Sequence, residues 1–390
     1  MSGKIIQRLG LAAVTTAAVV MAGPAASASS APIPKAVQAS KGWVDFNGDG
    51  RADYCRVSDY NYLKCTVSTG TGFGTTYSSP SAVDPGYSAG RAWADVTGDG
   101  KADYCRVVGV TDKYLNCTPS TGTGFGATFG SGPVQAGYDA GRAWADASGD
   151  GKADYCRVID HWGPALRCTP STGTGFGTTF GTGGIDPGYD AGRAWTDVTG
   201  DGRADYCRVT GGWDKFVHCT PSTGSGFGTT FGSGKLDPGY DATRAWADVS
   251  KDGRSDFCRG VGSNNRIVCT LSNGSSFGSD ISRYLDVGYD AGRGWADHNG
   301  DGTADFCRVV GPWWDLRLRC DLAYGSGFST AYTSAVVDPG YDDTRGWADF
   351  DGDGRADYCR MVGGDYKNLQ CTVSSGSGFG TTYTSGVIYP

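Results

Sequence analysis

The sequence predicts an all-β fold: a seven-bladed β-propeller of four-stranded antiparallel blades, with one calcium-binding loop and one hairpin disulfide per blade. Three observations carry that expectation. A unit of about fifty residues recurs seven times, with acidic loops starting at Asp45, Asp95, Asp146, Asp197, Asp248, Asp297 and Asp349. Each unit holds four short strand-like runs and no segment with a helical period. The 65 glycines and 15 prolines argue against long helices, whereas 12% aromatic and 39% hydrophobic residues are too many for a disordered chain. Four strands per unit at this period is the pattern of propeller blades.

In chain order, Lys4 and Arg8 precede an apolar run from Leu9 to Ala22, and Ala26-Ser27-Ala28 is an A-x-A cleavage site. Residues 1–28 therefore read as a signal peptide, 29–40 as a flexible leader and 41–390 as the propeller, with repeats starting near 43, 93, 144, 195, 246, 295 and 347. A secreted, extracellular protein is expected, and the apolar run is too short to span a membrane. The second copy shows the unit. Strands are expected at 91–96, 102–107, 114–118 and around Phe125 to Phe129, with a variable tip at Val110 to Lys113 and a crossing loop from Gln135 to Gly141. Val37 to Asp45 and Gly386 to Pro390 look like two halves of a ring closure.

The phrase from Trp93 to Asp103, with Gly124-Phe125-Gly126 after it, resembles the FG-GAP or VCBS repeat, a family that includes the integrin α propeller and many secreted bacterial proteins. The resemblance covers everything after the leader. It implies a propeller whose loop ions are structural, pinning the first two strands of each blade. The paired cysteines are an addition to the generic repeat.

Every acidic loop fits D-x-[NTSD]-x-D-G-x-x-D. Oxygens at alternate positions of a tight turn can converge on one hard ion, with the seventh residue giving its carbonyl. The expected ligands are Asp45, Asn47, Asp49, Arg51 and Asp53 in the first loop and Asp95, Thr97, Asp99, Lys101 and Asp103 in the second. The third and fourth supply Asp146, Ser148, Asp150, Lys152 and Asp154, then Asp197, Thr199, Asp201, Arg203 and Asp205. The fifth and sixth supply Asp248, Ser250, Asp252, Arg254 and Asp256, then Asp297, Asn299, Asp301, Thr303 and Asp305. Asp349, Asp351, Asp353, Arg355 and Asp357 complete the set. Position twelve is Arg rather than Glu, which excludes an EF-hand, and the ninth-position Asp is expected to close the site. Up to seven structural Ca²⁺ ions are expected, because carboxylates this close repel one another unless neutralised; the alternative is an ion-free Asp/Gly turn. Lys251 replaces glycine at the fourth position of the fifth loop and is expected to weaken it.

The 14 cysteines fall in seven pairs across the second hairpin: Cys55 with Cys65, Cys105 with Cys117, Cys156 with Cys168, Cys207 with Cys219, Cys258 with Cys269, Cys307 with Cys320, and Cys359 with Cys371. Adjacent antiparallel strands bring such pairs within disulfide reach. Zinc is disfavoured, since no C-x-x-C spacing exists and histidines are few.

Strand parity puts the acidic loops on one face and the tips, with the crossing loops, on the other. The tips carry Tyr60, Tyr62, Tyr114, Trp162, Trp213, Trp313, Trp314 and Tyr366, read as ligand-binding aromatics or, equally, as covers for neighbouring hairpins. The crossing loops repeat Tyr-Asp-Ala-Gly-Arg, as in Tyr189, Asp190 and Arg193; this is either a sugar site or an interblade ion pair. The leading expectation is a lectin-like module binding a glycan or cell-surface glycoconjugate through the tip face. The first alternative is an adhesion scaffold for an extracellular protein, and the second a polysaccharide hydrolase or lyase. With a net charge of −7, nucleic acid is not expected as a partner; neither is membrane insertion, and the chain is expected to be a monomer. Catalysis is not expected: His161, His218 and His298 occupy unrelated positions, and Gly274-Ser275-Ser276-Phe277-Gly278 aligns with the repeated Gly-rich turn.

Overall fold

The computed structural model describes residues 36–37, 39–160, 163–262 and 266–388. The expected signal peptide, most of the leader, His161 and Trp162 lie outside the described residues. Seven sheets form the seven blades, each with four strands drawn from one uninterrupted stretch of chain. Blade 1 orders Lys41–Val44, Asp53–Val57, Leu63–Ser68 and Phe73–Ser78 from the innermost strand outward. The other innermost strands are Ala92–Ala94, Ala143–Ala145, Ala194–Thr196, Ala245–Ala247, Gly294–Ala296 and Gly346–Ala348. No helix among the described residues is long and apolar enough to cross a membrane.

The fourth strands differ from the expectation. In blades 2 to 4 the phenylalanine after the Gly-rich turn makes a single bridge, as in Ser120↔Phe125, and pairing resumes only at Phe129, Phe180 and Phe231. These blades carry Pro119, Pro170 and Pro221 at the end of the third strand, where the others have Val67, Leu271, Leu322 and Val373. Proline offers no N–H to the ladder, so the outer strand lifts away there.

The core lies between blades. In each innermost strand a Trp ring rests 4.9–5.1 Å from the aromatic ring opposite it, as in Trp93 with Tyr104. That pair packs on the preceding blade's disulfide: Trp93 and Tyr104 share a cluster with Cys55 and Cys65. Each disulfide joins directly opposed residues whose Cα atoms are 4.0–4.2 Å apart. Buried Arg106, at position twelve, lies over the Tyr104 ring and donates to the Asp84 carbonyl at 2.7 Å, a brace repeated at Arg157, Arg208, Arg259, Arg308 and Arg360.

Neighbouring blades are joined by a peptide hydrogen bond at all seven interfaces. The eighth loop residue donates to the carbonyl of the preceding loop's first Asp, as in Ala102 to Asp45 at 2.7 Å and Ala153 to Asp95 at 2.7 Å. Ala52 to Asp349, at 2.6 Å, closes the ring with the same bond. The two segments expected to close the ring meet there, Trp43 and Ile388 sharing one buried cluster, and no strand is exchanged between the first and last blades. The strand Phe379–Ile388 stays in blade 7, paired with Lys367–Ser374, whereas Ala36–Val37 adds to the inner edge of blade 2. Side chains add to the peptide bond between blades 1 and 7: Trp43 donates to Thr344 O at 2.9 Å, and Lys41 pairs with Asp343 at 2.5 Å.

Trp144 is buried and its indole N–H donates to Gly90 O of the preceding crossing loop. Trp144→Ala is expected to cost about 3–5 kcal/mol in denaturant unfolding, by cavity formation at an interface.

Candidate functional site

Each acidic loop is organised by its own backbone before any ligand is considered. In the first loop Asp45 accepts the N–H groups of Gly48 at 2.7 Å and Gly50 at 2.9 Å, curling the turn around its carboxylate. The sixth-position glycines take φ between 81° and 85°, a left-handed conformation that side chains disfavour. The ninth-position Asp is fully buried. Asp53 accepts Phe46 N–H at Oδ2 (3.1 Å) and Ser68 N–H at Oδ1 (2.7 Å), binding the loop to the end of the third strand. Asp103, Asp154, Asp205, Asp256, Asp305 and Asp357 repeat this. Burial pushes these carboxyls up, to about 8 in Asp53 and Asp305 and about 7 in Asp103 and Asp256, and nearby loop carboxylates add to the rise.

The seventh residue does something the sequence reading overlooked. Its side chain pairs with the fifth-position Asp of the same loop: Arg51 with Asp49 at 2.5 Å, Lys101 with Asp99 at 2.8 Å and Lys152 with Asp150 at 2.9 Å, and likewise Arg203, Arg254 and Arg355. The signal was available, since six of seven such positions are basic. Lys251 keeps the fifth loop's turn by adopting φ of 61°, and its ammonium leaves the loop to reach the Asp301 carbonyl of the next blade. In the seventh loop, carboxylate oxygens of Asp349, Asp351 and Asp353 lie within 4.8 Å of one another. The donor set is all oxygen, with lone pairs left on each carboxylate, and so fits a hard divalent cation rather than a soft one.

On the opposite face the tips and crossing loops meet, as parity requires: Tyr87 donates its hydroxyl to Gly109 O at 2.6 Å, and Tyr189 to Gly211 O at 2.6 Å. The tips are tight. Gly211 has φ of 96°, and a Cβ there would lie 2.1 Å from Asp214 O. Trp213 (103% exposed), Trp313 (80%), Trp314, Tyr60 and Tyr366 project into solvent, whereas Tyr62 and Tyr114 are half-buried. Trp313 and Trp314 stand perpendicular, their rings 5.4 Å apart.

The crossing-loop residues brace the ring, but the ion pair lies within one loop, correcting the interblade pair that the sequence suggested. Arg193 pairs with Asp190 at 2.8 Å and donates across the interface to Ala140 O at 2.8 Å. Arg142, Arg244, Arg293 and Arg345 do the same with Ala89, Ala191, Ala242 and Ala291. At the closing interface Lys41 stands for the arginine and Asp343 for the alanine. Lys113 and Lys215 lie over the Tyr87 and Tyr189 rings, so those faces are capped. A surface cavity of about 670 Å³ opens between two crossing loops, walled by Tyr189, Asp190, Lys215, Asp241 and Arg244 among others. Ser275 bonds Asn273 in a turn, His218 bonds Thr210, and the buried His298 ring lies tilted against Phe379 with centroids 4.6 Å apart.

Fold and loops define a repetitive β-propeller whose blades share one acidic-loop signature. The family model for the FG-GAP-like repeat matches residues 45–105, from the first acidic loop through the second. An NAD(+)--arginine ADP-ribosyltransferase, Chelt, of Vibrio cholerae is 32% identical over 136 residues, which are 34% of this chain and 22% of that protein. The chain thus spans about a fifth of the curated relative's length. The Tc holotoxin pore of Photorhabdus luminescens shares the fold, with a TM-score of 0.51 at 17% identity over 88% of this chain and 19% of that one. The Dos1 propeller aligns at a TM-score of 0.42 and 9% identity, covering 87% of this chain and 77% of that one.

The side chain of Arg193 is 7% exposed and that of Asp190 77%. Arg193→Ala is therefore expected to cost about 1–3 kcal/mol by orphaning carbonyls, and Asp190→Ala under about 1 kcal/mol, in paired chemical denaturations.

Proposed function

We propose that the protein is a secreted, calcium-stabilised propeller that binds carbohydrate through the face bearing the hairpin tips. One observation carries the binding reading: bare tryptophans stand on turns that the fold holds rigid. Trp213, Trp313 and Trp314 project from hairpins each stapled by a disulfide near its base, and a Gly with φ of 96–99° fixes the turn in both tips. Exposed indoles of this kind supply broad contact area at low entropic cost, and sugar rings stack well on them. Several weak tips on one rigid ring act through avidity. The seven disulfides support an oxidising, extracellular location.

Calcium belongs to the opposite face. The ninth-position carboxylates are buried beside two further Asp, and a divalent ion drawing on positions one, three, five, seven and nine would relieve their mutual repulsion. Its role there is structural, because the same loops carry the peptide bonds between blades. The likeness to an ADP-ribosyltransferase concerns only part of each chain and brings no activity to this reading.

Exhaustive EGTA dialysis is expected to lower the melting temperature, with recovery on adding Ca²⁺; an unchanged melt would contradict the calcium assignment. On a glycan array the protein is expected to bind, and Trp213→Ala with Trp313→Ala to weaken binding about tenfold or more. Full retention of binding in that variant would remove the tips from the site.

A further inference from the structure

The seven acidic loops are not electrically equal. Loops one to four each set three Asp against one basic residue, for a formal charge of −2. The fifth adds Lys251 to Arg254 and falls to −1. In the sixth, Thr303 takes the seventh place and leaves three Asp unopposed; in the seventh, four Asp face Arg355 alone. Both of these loops carry −3.

Geometry gives the count its weight. Wherever the seventh residue is basic, its side chain sits on Oδ2 of the fifth-position Asp, on the very carboxylate a bound cation would draw upon, as with Lys101 on Asp99. In the sixth loop Asp301 Oδ2 accepts instead the neutral amide of Asn299, at 2.8 Å. The cation absent from position seven has moved across the interface. In other blades glycine at position four makes room for the next blade's seventh side chain; a Cβ on Gly149 would lie 2.8 Å from Arg203 Cγ. Opposite Thr303 that room is free, and Lys251 runs the other way, to the Asp301 carbonyl and not to its carboxylate. The seventh loop gains by addition, since Asp351 puts a third carboxylate beside Asp349 and Asp353.

We infer that the sixth and seventh loops are the two tight cation sites of the ring. The inference rests on the calcium reading above. Affinity in an all-oxygen loop follows the number of carboxylates free to bind and the rigidity of the turn. The two tight sites are neighbours, and the seventh loop gives its Asp349 carbonyl to Ala52 across the closing interface. Ions at low concentration therefore stiffen first the interface at which the chain does not run from one blade to the next.

The test is a calorimetric titration of the metal-free full chain with Ca²⁺, read beside the histidine Cε1–H signals in NMR. His298, the second residue of the sixth loop and one of only three histidines, reports that loop directly. Two equivalents at least about tenfold tighter than the remainder are expected, with the His298 signal shifting within them. Lys251→Gly with Thr303→Arg restores the arrangement of the other blades and is expected to remove one tight equivalent. Asp351→Asn, which places the residue found at that position in the first and sixth loops, is expected to remove the other. Equal affinity at every site, or two tight equivalents surviving both sets of changes, overturns the inference and leaves the calcium reading standing. No heat and no His298 shift at any Ca²⁺ concentration overturns the calcium reading as well.

Discussion

In each blade the Asp that begins the second strand gives both carboxylate oxygens to peptide N–H groups that no strand ladder reaches. One belongs to the acidic loop and the other to the end of the third strand, so three strand ends meet at one buried side chain. The residue just before it carries the peptide bond to the previous blade, as Ala52 does beside Asp53. The geometry inside a blade and the geometry between blades are thus fixed within two consecutive residues. A buried carboxylate without those partners would be costly, and with them it holds the loop in one shape. The Trp–Tyr core, the disulfides and the crossing-loop arginines all build outward from that junction.

Much of this was legible in the sequence because it is a matter of period. Seven loops in register gave the blade count, and cysteines at matching offsets from those loops fell directly opposite one another, as Cys105 and Cys117 do. What stayed hidden depends on where a side chain points. Arg51 was counted for its carbonyl alone, although its guanidinium lies on Asp49. The buried role of Arg106 over Tyr104 was missed for the same reason: position twelve was used only to exclude an EF-hand. The fourth strands of blades 2 to 4 were placed too early, although Pro119, Pro170 and Pro221 stood in plain view, because their effect falls on the partner strand. Lys251 looked like a defect of its own loop, and its meaning lies with Thr303 about fifty residues on.

The two faces use their repeats in opposite ways. On the acidic face variation is slight and electrical, a cation added, moved or left out. On the tip face the frame is constant, held by tyrosine hydroxyls and arginine braces, and the projecting residue changes from Tyr60 to Val110 to Trp213. A scaffold that fixes the stem and frees the tip allows contact residues to change with little effect on stability.

Since the four strands of each blade come from one unbroken stretch of chain, and every interface repeats the same peptide bond, the joint between blades is the same at every position on the ring. A polypeptide re-spliced so that it started at any other crossing loop would meet the same peptide bond at its new seam. The pairing of Lys41 with Asp343, where five other interfaces set arginine against an alanine carbonyl, marks the interface that the chain does not run across.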